Sequence, residues 1–187
     1  MGARAPPAGP RQVSLMEIYN EGIRDLLEPR DAGGQEKRLE VRADAATGGT
    51  HVPDLRQAPV GSAREVAEVV AQGMRNRSTG CTGMNEHSSR SHCLFSVHVA
   101  RADLQGGGTS FGKLHLIDLA GSERLSRTGA TGDRLREAQH INRSLSALGN
   151  CVSALVARAK HVPFRDSRLT HFLQVAEQRR WPGGGRL

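Results

Sequence analysis

Leu114-His115-Leu116-Ile117-Asp118-Leu119-Ala120-Gly121-Ser122-Glu123 is the stretch on which the fold of this chain turns. Its apolar start reads as a strand, and the strand ends in a carboxylate. An Asp at that place has the geometry of a Walker-B residue, which holds Mg²⁺ through its water shell. The glycine three residues on has no side chain to stop its N–H from turning toward a terminal phosphate. Many strands also end in Asp as an ordinary turn starter, so the segment alone leaves both readings open. Upstream, Asn85-Glu86-His87-Ser88-Ser89-Arg90-Ser91-His92 sets three hydroxyls around one guanidinium. Such a loop offers ligands and proton carriers to a phosphate and its Mg²⁺, and is equally an ordinary polar loop.

Around these two segments the periodicities predict an α/β chain. Val13 to Tyr19 mixes β-formers and apolar residues and predicts a buried strand, followed by a short helix over about Glu21 to Leu27 that stops before Pro29. Residues 30–61 carry strand-like pieces (Leu39 to Arg42, His51 to Leu55) between glycine pairs, a hairpin excursion. Ser62 and Glu65 form a capping box that opens a helix with the stripe Val66, Val69, Val70, Met74. Two strands, about Cys93 to Val99 and Gly112 to Asp118, are expected to pair as an antiparallel hairpin through the Gly106 turn. After a polar loop, Ala138, Ile141, Leu145, Leu148, Val152 and Leu155 make a helical stripe over about Glu137 to Arg158. Pro163 breaks the next loop, and a short helix from about Asp166 carries Leu169, Phe172 and Leu173.

Composition narrows the function classes. The chain has 187 residues, one domain or a little more, and lacks any apolar run near the length of a membrane span. Its N-terminus has no apolar core of a secretory signal. Three widely spaced cysteines (Cys81, Cys93, Cys151) fit neither a disulfide scaffold nor a zinc site and point to a reducing, cytosolic setting. The net charge of +7 sits wholly after residue 100, where 14 Lys and Arg face 7 Asp and Glu. That half is expected to attract an acidic partner. Six aromatics and no base-reading motif argue against nucleic acid.

Taken together, S-S-R-S-H followed 26 residues later by D-L-A-G-S-E resembles switch I and switch II of the kinesin motor domain. The resemblance extends to V-S-L-M-E-I-Y-N-E-G-I-R-D-L-L at Val13 to Leu27. It continues through L-R-E-A-Q-H-I-N-R-S-L-S-A-L-G-N-C-V-S-A-L at Leu135 to Leu155, and H-V-P-F-R-D-S-R-L-T-H-F-L at His161 to Leu173. The wording R-L-R-E-A-Q-H-I-N with N-E-H-S-S-R-S-H is similar to the minus-end-directed, C-terminal-motor subfamily. The resemblance implies a kinesin-type P-loop NTPase fold, a mixed central sheet flanked by helices, over residues 12–174. It implies a cytoplasmic, microtubule-associated motor that uses ATP and Mg²⁺.

Residue by residue, Asp118 is implied to hold the Mg²⁺ shell and Gly121 to sense the γ-phosphate. Ser88 is implied to contact the lytic water and Ser89 the metal, with Asn85, Ser88 and Gly121 facing the nucleotide. Arg90 and Glu123 are implied to pair across the switches. Asn142 would link switch II to the filament, while Arg124, His161, Arg165 and Arg168 would face acidic tubulin.

The pattern is incomplete. No G-x-x-x-x-G-K-[ST] occurs in residues 1–187; Gly112-Lys113 is followed by Leu and has no glycine five residues before Gly112. The P-loop half of the fold is therefore missing from this sequence, and strand edges and an apolar face are expected to lie open. Val175 to Leu187 departs from the family pattern, and Gln174-Val175 can be encoded across an intron donor. The expectation is a disordered lead-in over 1–11 and a disordered tail over 175–187, the tail being retained intron sequence. Two functions stay open: part of a microtubule-stimulated ATPase, or a microtubule-binding module without ATPase activity. The loops over about Ser78 to Ser88 and Leu125 to Arg136 are expected to be mobile without nucleotide.

Overall fold

The computed structural model describes residues 11–28, 37–44, 49–79, 89–102, 109–122 and 132–174. The lead-in before Arg11, the Gly106 turn, most of both expected mobile loops and the tail after Gln174 lie outside these residues. The chain forms two compact units.

The first unit is built on a sheet. Strand β1 (Arg11–Tyr19) lies between β2 (Gly22–Asp25) and β6 (His92–Ala102), and β6 lies beside β7 (Thr109–Asp118). β1 and β6 pair antiparallel with Leu15 opposite Phe95, and β6 and β7 pair antiparallel with Cys93 opposite Asp118. The expected antiparallel pairing is therefore present, ending at Cys93 and Asp118 as expected and reaching three residues further, to Ala102 and Thr109, at the other end. A two-residue strand β5 (Ala58–Pro59) adds to β1. β1 begins at Arg11, inside the segment expected to be a lead-in.

One sequence expectation fails here. Glu21 to Leu27 is not a helix: Gly22–Asp25 is a strand beside β1. Asn20 and Glu21 have φ of 50° and 59°, the primed-turn geometry that folds a strand straight back on its neighbour. Leu26 N–H then donates to the Leu15 carbonyl at 2.9 Å. The Asp25 carboxylate closes the strand by accepting the Leu27 and Arg56 N–H groups at 2.8 and 2.6 Å.

Helix α1 (Ala63–Thr79) packs on this sheet. Ser62 Oγ accepts the Glu65 N–H at 3.2 Å, and Glu65 reaches back to the Gly61 N–H at 2.8 Å. The predicted cap is thus present, shifted by one residue on its return arm. Gly73 faces β1, where a Cβ would overlap the Leu15 side chain. Its absence lets helix and strand approach closely. The predicted stripe is rotated: Val66, Val69 and Val70 are half-buried, Met74 is exposed, and Gly73 and Arg77 are buried. Leu15, Leu26, Leu27 and Cys93 form the core of this unit, with Val69 and Phe95 packed on it.

The second unit holds the Asn20–Gly22 turn, a small hairpin of β3 (Arg42–Ala43) with β4 (Thr50–His51), and two helices. These are α2 (Asp133–Val156) and α3 (Arg168–Phe172), with a 3₁₀ turn over Phe164–Asp166 before α3. On α2 the buried positions are Glu137, Ile141, Ser144, Ala147 and Cys151, while Val152 and Leu155 are exposed. The apolar stripe read from the sequence therefore lies at the edge of the buried face rather than at its centre. Ser167 and Thr170 cap α3 reciprocally at 3.1 and 3.2 Å, and Thr50 Oγ1 donates to the Phe172 carbonyl at 2.8 Å.

Candidate functional site

The C-terminal end of β7 is organised by charges buried beneath it. Glu17 lies in the middle of β1, whose residues from Val13 to Ile18 are all buried, and its carboxylate is 1% exposed. A charge there requires partners. Arg77, in the last turn of α1, supplies one through Nε to Glu17 Oε1 at 3.0 Å. Ser91 Oγ donates to the same oxygen at 2.7 Å and accepts from Arg77 Nη2 at 3.1 Å. Arg24 Nη1 stands 3.7 Å from the other carboxylate oxygen. One strand, one helix and the residue entering β6 are thus tied together by a planar cation whose fork is filled on several sides.

The remaining arm of that fork points to Asp118. Arg77 Nη1 is 3.6 Å from Asp118 Oδ2, on a carboxylate that is 72% exposed. Two residues further, the Ala120 N–H donates to His92 Nδ1 at 3.0 Å, which requires that ring nitrogen to be unprotonated. Burial pushes the His92 pKa down from its ordinary 6.5, against an opposing pull from Asp118. Residues 118–120 are therefore attached twice to the base of β6, through Arg77 with Ser91 and through His92.

Ser89 and Arg90 form the turn that leads into Ser91, with Arg90 half-buried and Ser89 exposed. Gly121 is exposed just beyond Ala120. Asn85, Ser88, Glu123 and Arg124 lie outside the described residues, and with them the Arg90–Glu123 pair. In the second unit, Arg165 and Arg168 line one cleft of about 340 Å³ with Arg143, His171, Glu21 and Glu40. Glu21 accepts the Arg168 backbone N–H at 3.0 Å, and Arg168 Nη1 donates to the Leu39 carbonyl at 3.4 Å, so this side chain has a structural duty as well. Burial, Arg165 and Arg168 all depress the His171 pKa. Asn142 is half-buried on α2 and His161 is exposed; neither lines the cleft.

Ser91 and His92 close the polar motif read from the sequence but were given no role of their own, and Glu17 and Arg77 were not singled out. Two signals were available. Glu17 is a lone charge inside an apolar strand, and Arg77 extends the Val66, Val70, Gly73 stripe by one more turn.

Residues 10–176 match the kinesin motor domain family. The chain belongs to that family. It is 52% identical over 163 residues to the kinesin-like protein KIN-14R of Oryza sativa subsp. japonica, covering 87% of this chain and 16% of that protein. It is 48% identical over 162 residues to KIN-14F of Arabidopsis thaliana, with 87% and 15% covered. This kinesin chain thus spans about a sixth of the length of the curated relatives it matches. Among solved structures, a fast kinesin aligns with a TM-score of 0.74 and 43% identity, over 88% of this chain and 45% of that one. The Kar3 motor domain of Saccharomyces cerevisiae aligns with a TM-score of 0.72 and 39% identity, over 88% and 48%. KIN-14 and Kar3 relatives agree with the C-terminal-motor resemblance, and the neighbours support the α/β kinesin fold.

Proposed function

We propose that residues 12–174 are the switch-bearing part of a cytoplasmic, microtubule-based motor whose complete form hydrolyses ATP with Mg²⁺. The observation that carries this reading is the attachment of Asp118 and Ala120 to the base of the S-S-R-S-H loop in a chain of the kinesin family. In this reading Asp118 holds the water shell of the metal, Ser89 contacts the metal, Ser88 orients the attacking water and Gly121 offers its N–H to the γ-phosphate. Asn85 faces the nucleotide, and Arg90 pairs with Glu123 when the site closes.

The residues present fit this ligand only in part. An exposed carboxylate at the end of an apolar strand suits a hydrated Mg²⁺. Residues 1–187 contain no phosphate-cradling glycine loop with its lysine. No hydrolytic step is therefore assigned to these residues alone. The purified chain is expected to show no microtubule-stimulated phosphate release; release at the rate of a complete motor would overturn that assignment.

A second reading, a microtubule-binding module without ATPase activity, is favoured by the side chains of Arg143, Arg165, Arg168 and His171, which line one cleft together with Glu21, Glu40 and Asp166. Arg124, Asn142 and His161 join the filament contacts in both readings. Among the described residues no helix is long and apolar enough to cross a membrane. Neither a membrane nor nucleic acid is proposed as a partner. Co-sedimentation with microtubules tests the binding: pelleting that weakens with salt and is lost in Arg165→Glu is expected. Failure to pellet at low salt would refute it. Arg165 is the cleaner probe because it is exposed, whereas Arg168 is half-buried and its guanidinium donates to the Leu39 carbonyl.

A further inference from the structure

We propose that the outer edge of β7 is a contact between two copies of this chain, paired antiparallel about a two-fold axis that passes through Leu114. The inference stands apart from the motor reading, since neither nucleotide nor filament takes part in it.

The two margins of the sheet are built differently. At one, β2 is four residues long and β5 two, ending in Pro59. Short strands and a proline give an incoming strand little to pair with. At the other, β7 runs ten residues, and its register with β6 is unbroken from Asp118 opposite Cys93 to Thr109 opposite Ala102. No bulge bends that margin away, and it contains no proline. β7 is terminal among the described strands. Phe111, Leu114 and Leu116 are exposed along it, and so is Val99 of β6, directly opposite Gly112. A long straight margin with exposed apolar side chains is a template for another strand.

The residues of β7 select a second copy as that strand. Isologous pairing sets the strand against itself reversed. Opposed residues must also share a face of the sheet, so the axis passes through a residue and not between two. The two registers of longest overlap are centred on Lys113 and on Leu114. The first sets Lys113 against its own copy, an opposition of like charges. The second sets Lys113 against His115, whose pKa burial and Lys113 hold below its ordinary 6.5, so no second cation is met at neutral pH. It also sets Leu114 against Leu114 and Phe111 against Ile117, an aromatic with a β-branched side chain. Leu116 then falls opposite Gly112, where a Cβ would meet nothing within 4 Å. On each side of the axis, Leu116 of the second copy fills that space and reaches toward Val99.

Sedimentation velocity of the 187-residue chain tests the association, from about 1 to 100 μM, the range in which an interface of one strand pair dissociates. A reversible monomer–dimer equilibrium is expected. Leu114→Lys sets two ammonium groups at the axis and should weaken the dimer about tenfold or more. Val156→Lys, which changes an exposed apolar residue on α2, should leave it unchanged. The register is read by oxidation with oxidised glutathione in a Cys81→Ser background, where the remaining cysteines, Cys93 and Cys151, are buried. Leu114→Cys should form a disulfide between copies, because residues directly opposed across antiparallel strands have Cα atoms about 4.5–5.5 Å apart. Leu116→Cys lies off the axis and should not. A chain that stays monomeric over the whole range would overturn the proposal and leave this margin to a strand of another protein. Equal weakening by Leu114→Lys and Val156→Lys would overturn it too, as would cross-linking of Leu116→Cys as fast as Leu114→Cys.

Discussion

β1 and β7 are similar strands with opposite fates. β1 carries a serine and a glutamate among its apolar residues, yet everything from Val13 to Ile18 is buried. β7 carries Phe111, Leu114, Leu116 and Ile117, yet Phe111 is 69% exposed and Leu114 and Leu116 are each 55% exposed. The difference is position in the sheet. β1 has β2 and β5 on one side, β6 on the other, and α1 packed on it. β7 is terminal among the described strands. Apolar area stabilises a fold only where a neighbour removes it from water, so identical side chains contribute little on β7. The same neighbours that bury Leu15 also bury Glu17, and the structure answers with Arg77, Ser91 and Arg24.

Four measurements can break or sharpen this contrast. The largest effect is expected from Arg77→Met, which strands the Glu17 carboxylate in the β1 core. Breaking a buried pair typically costs about 3–5 kcal/mol, and Arg24 at 3.7 Å should hold the loss toward the lower end. A urea melt reads this directly, and a loss below 1 kcal/mol would mean the carboxylate is reached by water. Next, Gly73→Ala should cost about 1–3 kcal/mol by driving a methyl into Leu15. A neutral or stabilising result, as in an exposed helix, would show that α1 does not sit tightly on β1.

Acid should weaken the fold. His92, His98, His115 and His171 all have pKa values held below 6.5, in each case chiefly by burial. Lys113 opposes a charge on both His98 and His115, whose rings meet edge to face at 6.4 Å, and Ser96 Oγ lies 2.7 Å from His115 Nδ1. Below pH 6.5 the unfolded chain binds these protons more readily than the folded one. Stability is therefore full above that pH and falls as pH drops through the folded values. A melting temperature that is flat or rises between pH 7 and 5.5 would contradict this. The smallest effect belongs to β7: Leu114→Ser should change stability by no more than about 0.5 kcal/mol. It should also reduce self-association, measured by sedimentation, because an exposed apolar terminal strand invites pairing. A cost as large as that expected for Arg77→Met would show the face of β7 to be covered.

The sequence by itself determined those elements whose signal is local. α1 and α2 follow from helical spacing, the β6–β7 hairpin from two apolar runs, and the start of α1 from Ser62 and Glu65. The family, and the place of Asp118 at a strand end, were legible in the two motifs for the same reason. Local spacing also misled at Ile23, Leu26 and Leu27, which step like a helix. There the positive φ at Asn20 and Glu21 turns the chain back, and the sheet supplies the hydrogen bonds a helix would have made. Only the tertiary structure decided which face of α2 is buried, since Val152 and Leu155 find no cover while Ser144 and Cys151 do. It also decided that Glu17, Arg77, Ser91 and Asp118 meet. Their separations in sequence carry no period, and a buried charge selects its partners by distance in the folded chain rather than along it.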